Sequence, residues 1–277
     1  MLAFFKRFRR SLLAEKKFGK YLSYAIGEIV LVVIGILIAL QINTWNTERT
    51  NQENIKVFAF SLVTELQGDI DEIDQRISQV NKNNLRIDSL IGVLSIAESY
   101  DDLNIDLLCL SWNLYYMPYK WNRSTIDQLK NSATLRHIEN DTIIKMIGKY
   151  DAFSKHLEED HRGDQTRIQM LEPFINRIVN YNYSNIKSLR GGILQKISSD
   201  FENDSLNFFK HPDYEKAKKE NLQVLSRDPS DYDLLINNLV GLQFQFSVRD
   251  FELNNQKKDA QELIQLLIRE YELENQF

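Results

Sequence analysis

The chain contains few of the residues that interrupt helices or cross-link a fold. Its 277 residues include one cysteine, four prolines and ten glycines. A single cysteine excludes an intrachain disulfide framework. Cys109 stands among leucines, so we interpret it as a buried hydrophobic side chain rather than a reactive thiol. The scarcity of proline and glycine favours long helices.

Catalytic and cofactor signatures are also missing from the sequence. It contains no G-x-x-x-x-G-K-[ST], G-x-G-x-x-G, H-E-x-x-H, G-x-S-x-G or C-x-x-C. We therefore expect no catalytic residues, no cofactor and no metal site. The alternative is an enzyme whose catalytic groups converge from distant helices, with Trp112, Tyr119 and Trp121 lining its pocket. Core packing is the usual role of such aromatic side chains.

Two clusters of metal-type ligands have simpler explanations. His156 and His161 are separated by five residues, which places their imidazoles about 140° apart on a helix, unlike an i,i+4 ligand pair. A solvated polar face is the favoured interpretation. The acidic run of Asp69, Asp71, Glu72 and Asp74 resembles the start of a calcium loop, but it lacks the glycine at the sixth position. We interpret these acids as exposed positions of a helix.

The sequence does contain one long apolar run, YLSYAIGEIVLVVIGILIALQI, in which Glu28 is the only ionisable carboxylate. Its 22 residues, 21–42, would form a helix of about 33 Å, enough for a hydrocarbon layer of about 30 Å. A core helix or a cleaved signal peptide is the alternative. No polar side chain occurs between Ile29 and Leu40, and no A-x-A-like site closes the run. We predict an uncleaved transmembrane helix over residues 21–43.

Charge at the two flanks predicts the orientation of this helix. Residues 1–20 contain one acidic residue, Glu15, and seven basic residues: Lys6, Arg7, Arg9, Arg10, Lys16, Lys17 and Lys20. Residues 43–53 contain only Arg49 as a cation. By the positive-inside rule, the N-terminus is cytoplasmic and residues 44–277 are exported to the periplasm. Trp45, Tyr21 and Tyr24 suit the two aromatic belts.

The basic arm and the exported part carry opposite charge. Apolar residues alternate with the basic ones in residues 1–20 at near-helical spacing, which predicts an amphipathic helix on anionic headgroups. A basic flank without fixed structure is the alternative. The rest of the chain holds 27 basic and 38 acidic residues. An acidic exported part has no electrostatic reason to bind nucleic acid.

A heptad pattern follows the membrane segment. Eleven positions alternate at spacings of four and three, and ten of them are apolar: Ala59, Val63, Leu66, Ile70, Ile73, Ile77, Val80, Asn84, Ile87, Ile91 and Leu94. This pattern predicts one stalk helix within residues 44–97. Its seam either forms a coiled coil with a second copy or packs against later helices of the same chain, and the second interpretation is favoured because no clean e/g charge code accompanies it.

The remaining sequence also reads as helical. Ser124 and Asp127 suggest a capping box at the start of a short helix. A longer helix begins at Asn140 or Asp141, and we expect it to be kinked or interrupted near Gly163 and Pro173. His211 opens a short helix that should run to Leu225. Asp231 is the predicted cap of a final helix over residues 231–274. The predicted fold class is all-α: one N-terminal transmembrane helix followed by an elongated bundle with long first and last helices.

Two runs resemble a known family. GKYLSYAIGEIVLVVIGILIALQINTWN, residues 19–46, is similar to the N-terminal signature of an uncharacterised family of Bacteroidota membrane proteins. TIDQLKNSATLRHIENDTIIKMIGKY, residues 125–150, is similar to a second motif of that family, which often has glycine where this chain has Ala133. The resemblance implies a single span in the bacterial inner membrane and an exported helical domain. It implies no activity.

One face of the predicted span carries a site hypothesis. Glu28, Gly35, Ala39 and Ile42 share a helical face, and Gly35-x-x-x-Ala39 is a small-xxx-small pair that permits close approach of another helix. The hypothesis is association in the membrane, with a second copy or with another membrane protein. The alternative for Glu28 is that its side chain reaches the interface.

Two functions agree with these features. The first is a membrane-anchored interaction or scaffold protein that exposes an acidic helical domain outside the cytoplasm. The second is a ligand-sensing bundle that signals through a membrane partner. The short cytoplasmic arm disfavours the second function because it cannot hold an output domain.

Overall fold

The computed structural model describes residues 18–97, 99–112, 114, 119, 121–132, 134–188, 190–191 and 212–273. Its principal helices are α1 (Phe18–Ile96), α2 (Asn104–Trp112), α3 (Ser124–Asn131), α4 (Asp141–Ile178), α5 (Pro212–Glu220) and α6 (Pro229–Tyr271). Short 3-10 turns lie at Asp101–Leu103 and Thr134–His137, and no strand occurs among the described residues. The all-α class and the long first and last helices are confirmed.

The chain divides into two compact units, Met1–Val57 and Phe58–Phe277. In the first unit, α1 contains an 18-residue window with a mean hydropathy of 2.6, none of which is buried. A soluble core helix would bury such a run, so this helix is long and apolar enough to span a membrane. Most of the predicted basic arm, residues 1–17, lies outside the described residues, and Lys20 lies in the first turn of α1.

In the second unit, the heptad seam of α1 is buried by the chain's own helices. Seven seam residues are at most 4% exposed: Ala59, Val63, Leu66, Ile73, Val80, Ile87 and Leu94. Lys257 of α6 reaches Asp74 of α1 at 2.6 Å, and Gln243 reaches Asp88 at 2.6 Å. The seam therefore supports an intramolecular bundle, and a coiled coil with another copy is not confirmed.

The core of this bundle is completed by α4 and α6. The predicted apolar face of α6 is buried and includes Leu235, Leu239, Leu242, Phe246, Leu253, Ala260, Ile264 and Leu267. Helix α4 runs without a break through Gly163 and Pro173, so the predicted interruption is wrong. Buried residues on both sides of Gly163, such as Leu157 and Leu171, pack this stretch into the core and hold it helical.

The ends of α6 differ from the prediction. Its N-cap is Asp228, whose carboxylate accepts the Ser230 N–H at 3.0 Å, and Pro229 occupies the first turn. Asp231 lies inside the helix, where it accepts a hydrogen bond from the Ser226 hydroxyl at 2.5 Å. The helix ends at Tyr271, before a left-handed residue with φ of 52°. The predicted range of 231–274 is therefore wrong by a few residues at each end.

Helix α3 is capped from another helix rather than by its own capping box. Its preceding residue, Arg123, makes no side-chain cap bond. The Glu65 carboxylate of α1 accepts the Thr125 N–H at 3.1 Å and the Thr125 hydroxyl at 2.8 Å, and it also accepts the Ser124 hydroxyl. Glu65 thus supplies the anion that the helix N-terminus favours. The cap joins two segments about sixty residues apart in sequence.

Two other predicted boundaries are settled by the structure. The short helix predicted from His211 to Leu225 is shorter: α5 ends at Glu220, and Asn221 follows it with a φ of 46°. Asn140 is confirmed as the cap of α4, since its side chain accepts the Thr142 N–H at 3.0 Å.

Candidate functional site

The predicted membrane face lies on α1 with its small residues accessible. Gly35, Ala39 and Ile42 are exposed, and Glu28 is partly exposed. A Cβ built on Gly35 would meet nothing within 4 Å. The surface is therefore open to a second helix, and association through it stays a prediction.

Asp69 is the centre of a buried polar cluster in the body. Its carboxylate is 3% exposed. One oxygen accepts a hydrogen bond from the Tyr119 hydroxyl, and the other accepts from the Tyr150 hydroxyl of α4 at 2.7 Å. The rings of Tyr119 and Trp121 meet edge to face at 4.2 Å, and Trp121 lies 6.1 Å from Tyr150. The cluster fastens α1 to the segment before α3 and to α4.

Burial dominates the electrostatics of this cluster. It raises the pKa of Asp69, although the two tyrosine hydrogen bonds act in the opposite direction. Burial also raises the pKa of both tyrosines, and the adjacent carboxylate raises them further. Asp69 points into the core, so the prediction of an exposed position is wrong for this residue, whereas Asp71 and Asp74 are exposed as predicted. A cleft of about 470 Å³ opens beside Asp69 and is lined in part by Glu72 and Arg76.

The three aromatic residues of the enzyme hypothesis do not share one pocket. Tyr119 lines the cleft beside Asp69. Trp112 lies elsewhere, with its ring 6.5 Å from Tyr181 and 5.8 Å from the Arg190 guanidinium. Cys109 is buried, as predicted, and burial raises the pKa of its thiol.

A second charged cluster joins α4 to α6 around Arg249, which is 5% exposed. Its guanidinium donates to Asp164 at 2.8 Å, to Asp160 at 3.0 Å and to Glu252 at 2.5 Å. Burial raises the pKa of Asp164. Burial lowers the pKa of Arg249, but its carboxylate partners outweigh burial and the net pKa is raised, so the guanidinium stays charged.

The two histidines of α4 have different surroundings. His161 is 1% exposed, and burial lowers its pKa to about 4. His156 is on the surface, where its Nε2 lies 3.2 Å from Asp160 Oδ2 and 3.4 Å from Glu252 Oε1. The predicted solvated polar face is therefore wrong for His161, which is buried, and holds for His156, which is exposed. The approach of Glu252 to His156 was not predicted, although the i,i+4 spacing of His156 and Asp160 is visible in the sequence.

Helix α6 carries a second apolar face on its outer side. Four large apolar side chains are 41–70% exposed there: Val240, Phe244, Val248 and Phe251. Their spacings of four, four and three residues place them on the side opposite the buried face. We call this surface the outer stripe. The apolar core positions masked this pattern in the sequence, because both faces of α6 contribute to its periodicity.

Uncharged polar residues lie along the outer stripe, and the charged Asp233 and Lys258 lie beyond its two ends. Asn237, Ser247, Asn254 and Asn255 occupy the same side of α6. Contiguous apolar patches on a protein surface often mark interaction sites. Phe244 and Phe251 are 70% and 66% exposed, which makes them the natural contact residues.

Together these features define an all-α protein with one membrane-span candidate, a helical body and an exposed apolar stripe. Residues 28–120, about a third of the chain, match the model of a family of unknown function, DUF6090. The match includes most of the predicted span and most of α1 but stops before the second motif at residues 125–150. No curated protein and no solved structure matches the chain.

Proposed function

We propose that this protein is a single-span, membrane-anchored interaction protein whose body associates with a second copy of the same chain. The observation that carries the proposal is the outer stripe, where phenylalanine and valine side chains face solvent on a helix whose opposite face already fills the core. Burying this stripe removes apolar surface from water, at roughly 25 cal/mol per Å².

A second copy fits the stripe by spacing and by charge. From Asn237 to Asn255 the stripe covers about 27 Å of helix. Its positions follow a near-heptad pattern, which suits helix-to-helix pairing. The charged residues between these two asparagines, Arg249, Asp250 and Glu252, project away from the line of the stripe, which limits like-charge repulsion between two copies.

Anchoring in one membrane also favours self-association. Tethered molecules meet at a raised effective concentration, so a short interface can be occupied that would be weak in solution. The small-residue face of the span at Gly35 and Ala39 gives a second surface by which copies could approach.

The proposed topology places the body in the periplasm and the N-terminus in the cytoplasm. It is supported by the seven basic residues in 1–20 and by the acidic composition of the rest of the chain. In this arrangement the protein is held in a bacterial inner membrane. The test is proteolysis of spheroplasts and alkaline carbonate extraction: the body should be cleaved from outside, and the protein should stay in the membrane. A protected body or a protein released by carbonate would contradict the topology.

The main experiment tests the outer stripe by disulfide crosslinking in membranes. Ser247 is exposed within the stripe, so Ser247→Cys places a thiol at the expected interface. The native Cys109 is 0% exposed and should not react. Mild oxidation should give a crosslinked dimer with Ser247→Cys. The matched control is Thr166→Cys on the exposed side of α4, which should stay monomeric.

A second measurement uses the mass of the purified full chain in detergent. The double variant Phe244→Ser with Phe251→Ser should shift the protein from dimer toward monomer. Met170→Ser is the control, because Met170 is also 60% exposed but lies on α4. Equal crosslinking of the two cysteine variants, or an unchanged dimer in the double variant, would refute association through the stripe.

The ligand-sensing hypothesis also has one observation in its favour. The cleft of about 470 Å³ beside Asp69 is lined by Glu65, Glu72 and Arg76, so it offers charged groups next to the bundle core. A small molecule that co-purifies with the wild-type chain, and is lost in Glu72→Gln, would support sensing. Purified protein free of any such molecule favours the interaction function.

A further inference from the structure

His156, Asp160 and Glu252 offer a set of metal ligands that two helices bring together. His156 and Asp160 are one turn apart on α4, and Glu252 comes from the facing helix α6. One ligand atom of each lies within 4.8 Å of the other two. The His156 side chain is 49% exposed and that of Asp160 is 35% exposed, so an ion could reach the site from solvent.

The distances from His156 are close to those between the ligand atoms of a tetrahedral ion. His156 Nε2 lies 3.2 Å from Asp160 Oδ2 and 3.4 Å from Glu252 Oε1. Ligand atoms about 2.0–2.2 Å from a tetrahedral zinc ion lie about 3.3–3.6 Å from one another. Charge-assisted hydrogen bonds are shorter, at about 2.7–2.9 Å. In addition, one imidazole N–H at Nε2 cannot fully satisfy two carboxylates.

Arg249 holds the two carboxylates of this set from the buried side. Its Nη1 contacts Asp160 at 3.0 Å and the second oxygen of Glu252 at 2.5 Å, while its Nε is fixed by buried Asp164 at 2.8 Å. Groups behind the ligands that orient them are typical of metal sites. Glu252 turns its other oxygen, Oε1, toward His156, whereas Asp160 Oδ2 faces both Arg249 Nη1 and His156 Nε2.

The charges at the site also favour a divalent cation. Three carboxylates, from Asp160, Asp164 and Glu252, share the Arg249 guanidinium. With neutral imidazole the cluster carries a formal surplus of two negative charges. Imidazole together with carboxylate ligands selects zinc-type ions over calcium and magnesium, which prefer all-oxygen sites.

We infer that His156, Asp160 and Glu252 bind one Zn²⁺ ion between α4 and α6. The ion has three protein ligands, and its fourth position faces solvent. Because the ligands come from two helices, the bound ion clamps them together.

The experiment measures Zn²⁺ binding to the full chain, purified in detergent, freed of any affinity tag and treated with a chelator. Titration calorimetry should show one equivalent of Zn²⁺. His156→Gln and Glu252→Gln should each weaken the affinity at least about tenfold. The matched control is His137→Gln, because His137 lies in the 3-10 turn Thr134–His137 and outside the site. It should bind Zn²⁺ as the wild type does.

A second readout does not depend on affinity alone. Zn²⁺ should raise the thermal unfolding midpoint of the wild type and of His137→Gln, but not that of His156→Gln. Circular dichroism should show equal helix content in all variants, since His156 is on the surface. The inference is overturned if the wild type binds no Zn²⁺, or if His156→Gln binds it as tightly as the wild type.

Discussion

Replacing Asp69 tests whether the buried carboxylate is a fastening point of the body. In Asp69→Ala, the hydroxyls of Tyr119 and Tyr150 both lose their acceptor inside the core. A buried polar group without a partner costs about 1–3 kcal/mol, so the two hydroxyls together cost about 2–6 kcal/mol. Removing a buried charge returns part of this cost. We expect a net loss of about 2–4 kcal/mol in the free energy of unfolding.

Asp69→Asn adds a pH dependence to the same test. Burial raises the folded-state pKa of Asp69 above its ordinary value of 3.8. The stability that the protonated group contributes is therefore complete below that ordinary value, and it is lost as the pH rises through the folded-state pKa. The amide cannot titrate. The stability of the wild type relative to Asp69→Asn should thus fall as the pH rises from about 4 through the raised folded-state pKa of Asp69.

The assay is urea unfolding of the full chain in mild detergent, followed by far-ultraviolet circular dichroism. Asp71→Asn is the matched control, because Asp71 is exposed on the same helix. It should change the free energy of unfolding by less than about 0.5 kcal/mol. The reasoning is refuted if Asp69→Ala unfolds at the same urea concentration as Asp71→Asn, or if the difference between wild type and Asp69→Asn does not change with pH.

Two further predictions concern other contacts. Glu65→Gln should lower the free energy of unfolding by about 1 kcal/mol, because the charged cap of α3 becomes a neutral one. Urea unfolding measures this, with Gln67→Glu, an exposed change on the same helix, as the control. Equal free energies of unfolding in the two variants would show that the cap is unimportant. Gly35→Leu combined with Glu28→Gln should reduce crosslinking of spans in the membrane, because leucine blocks close helix approach. Unchanged crosslinking patterns would exclude association through that face.

The sequence predicted the helices well where one strong period dominates. The seam of α1 from Ala59 to Leu94 and the buried face of α6 are confirmed, because burial of one stripe fixes both the helix and its orientation. The apolar run from residue 22 was equally clear, since length and composition suffice to identify it.

The sequence failed where a contact depends on a distant segment. The group that caps α3 is the Glu65 carboxylate of α1, so the capping box suggested by Ser124 and Asp127 is wrong. The continuity of α4 through Pro173 depends on packing against α6. Local propensity is a weak prior that such tertiary contacts override.

The candidate sites show the same division. The burial of Cys109 could be interpreted from its neighbours alone, whereas the burial of His161 could not be predicted from its spacing to His156. The approach of Glu252 to His156 depends on how α6 packs on α4, and 96 residues separate them. The outer stripe was hidden because α6 is apolar on two faces, which blurs a single helical period.

The α1 seam is synthesised well before α6, one of the helices that cover it. Leu94 ends that seam, and the first buried leucines of α6 are Leu235 and Leu239. At about 5–20 residues per second, ribosomes need roughly 7–28 s to make the intervening chain. During that time the apolar seam of α1 has left the ribosome, but α6, which packs on it, has not been made. Rapid overproduction should therefore drive nascent chains into aggregates through the uncovered apolar face of α1.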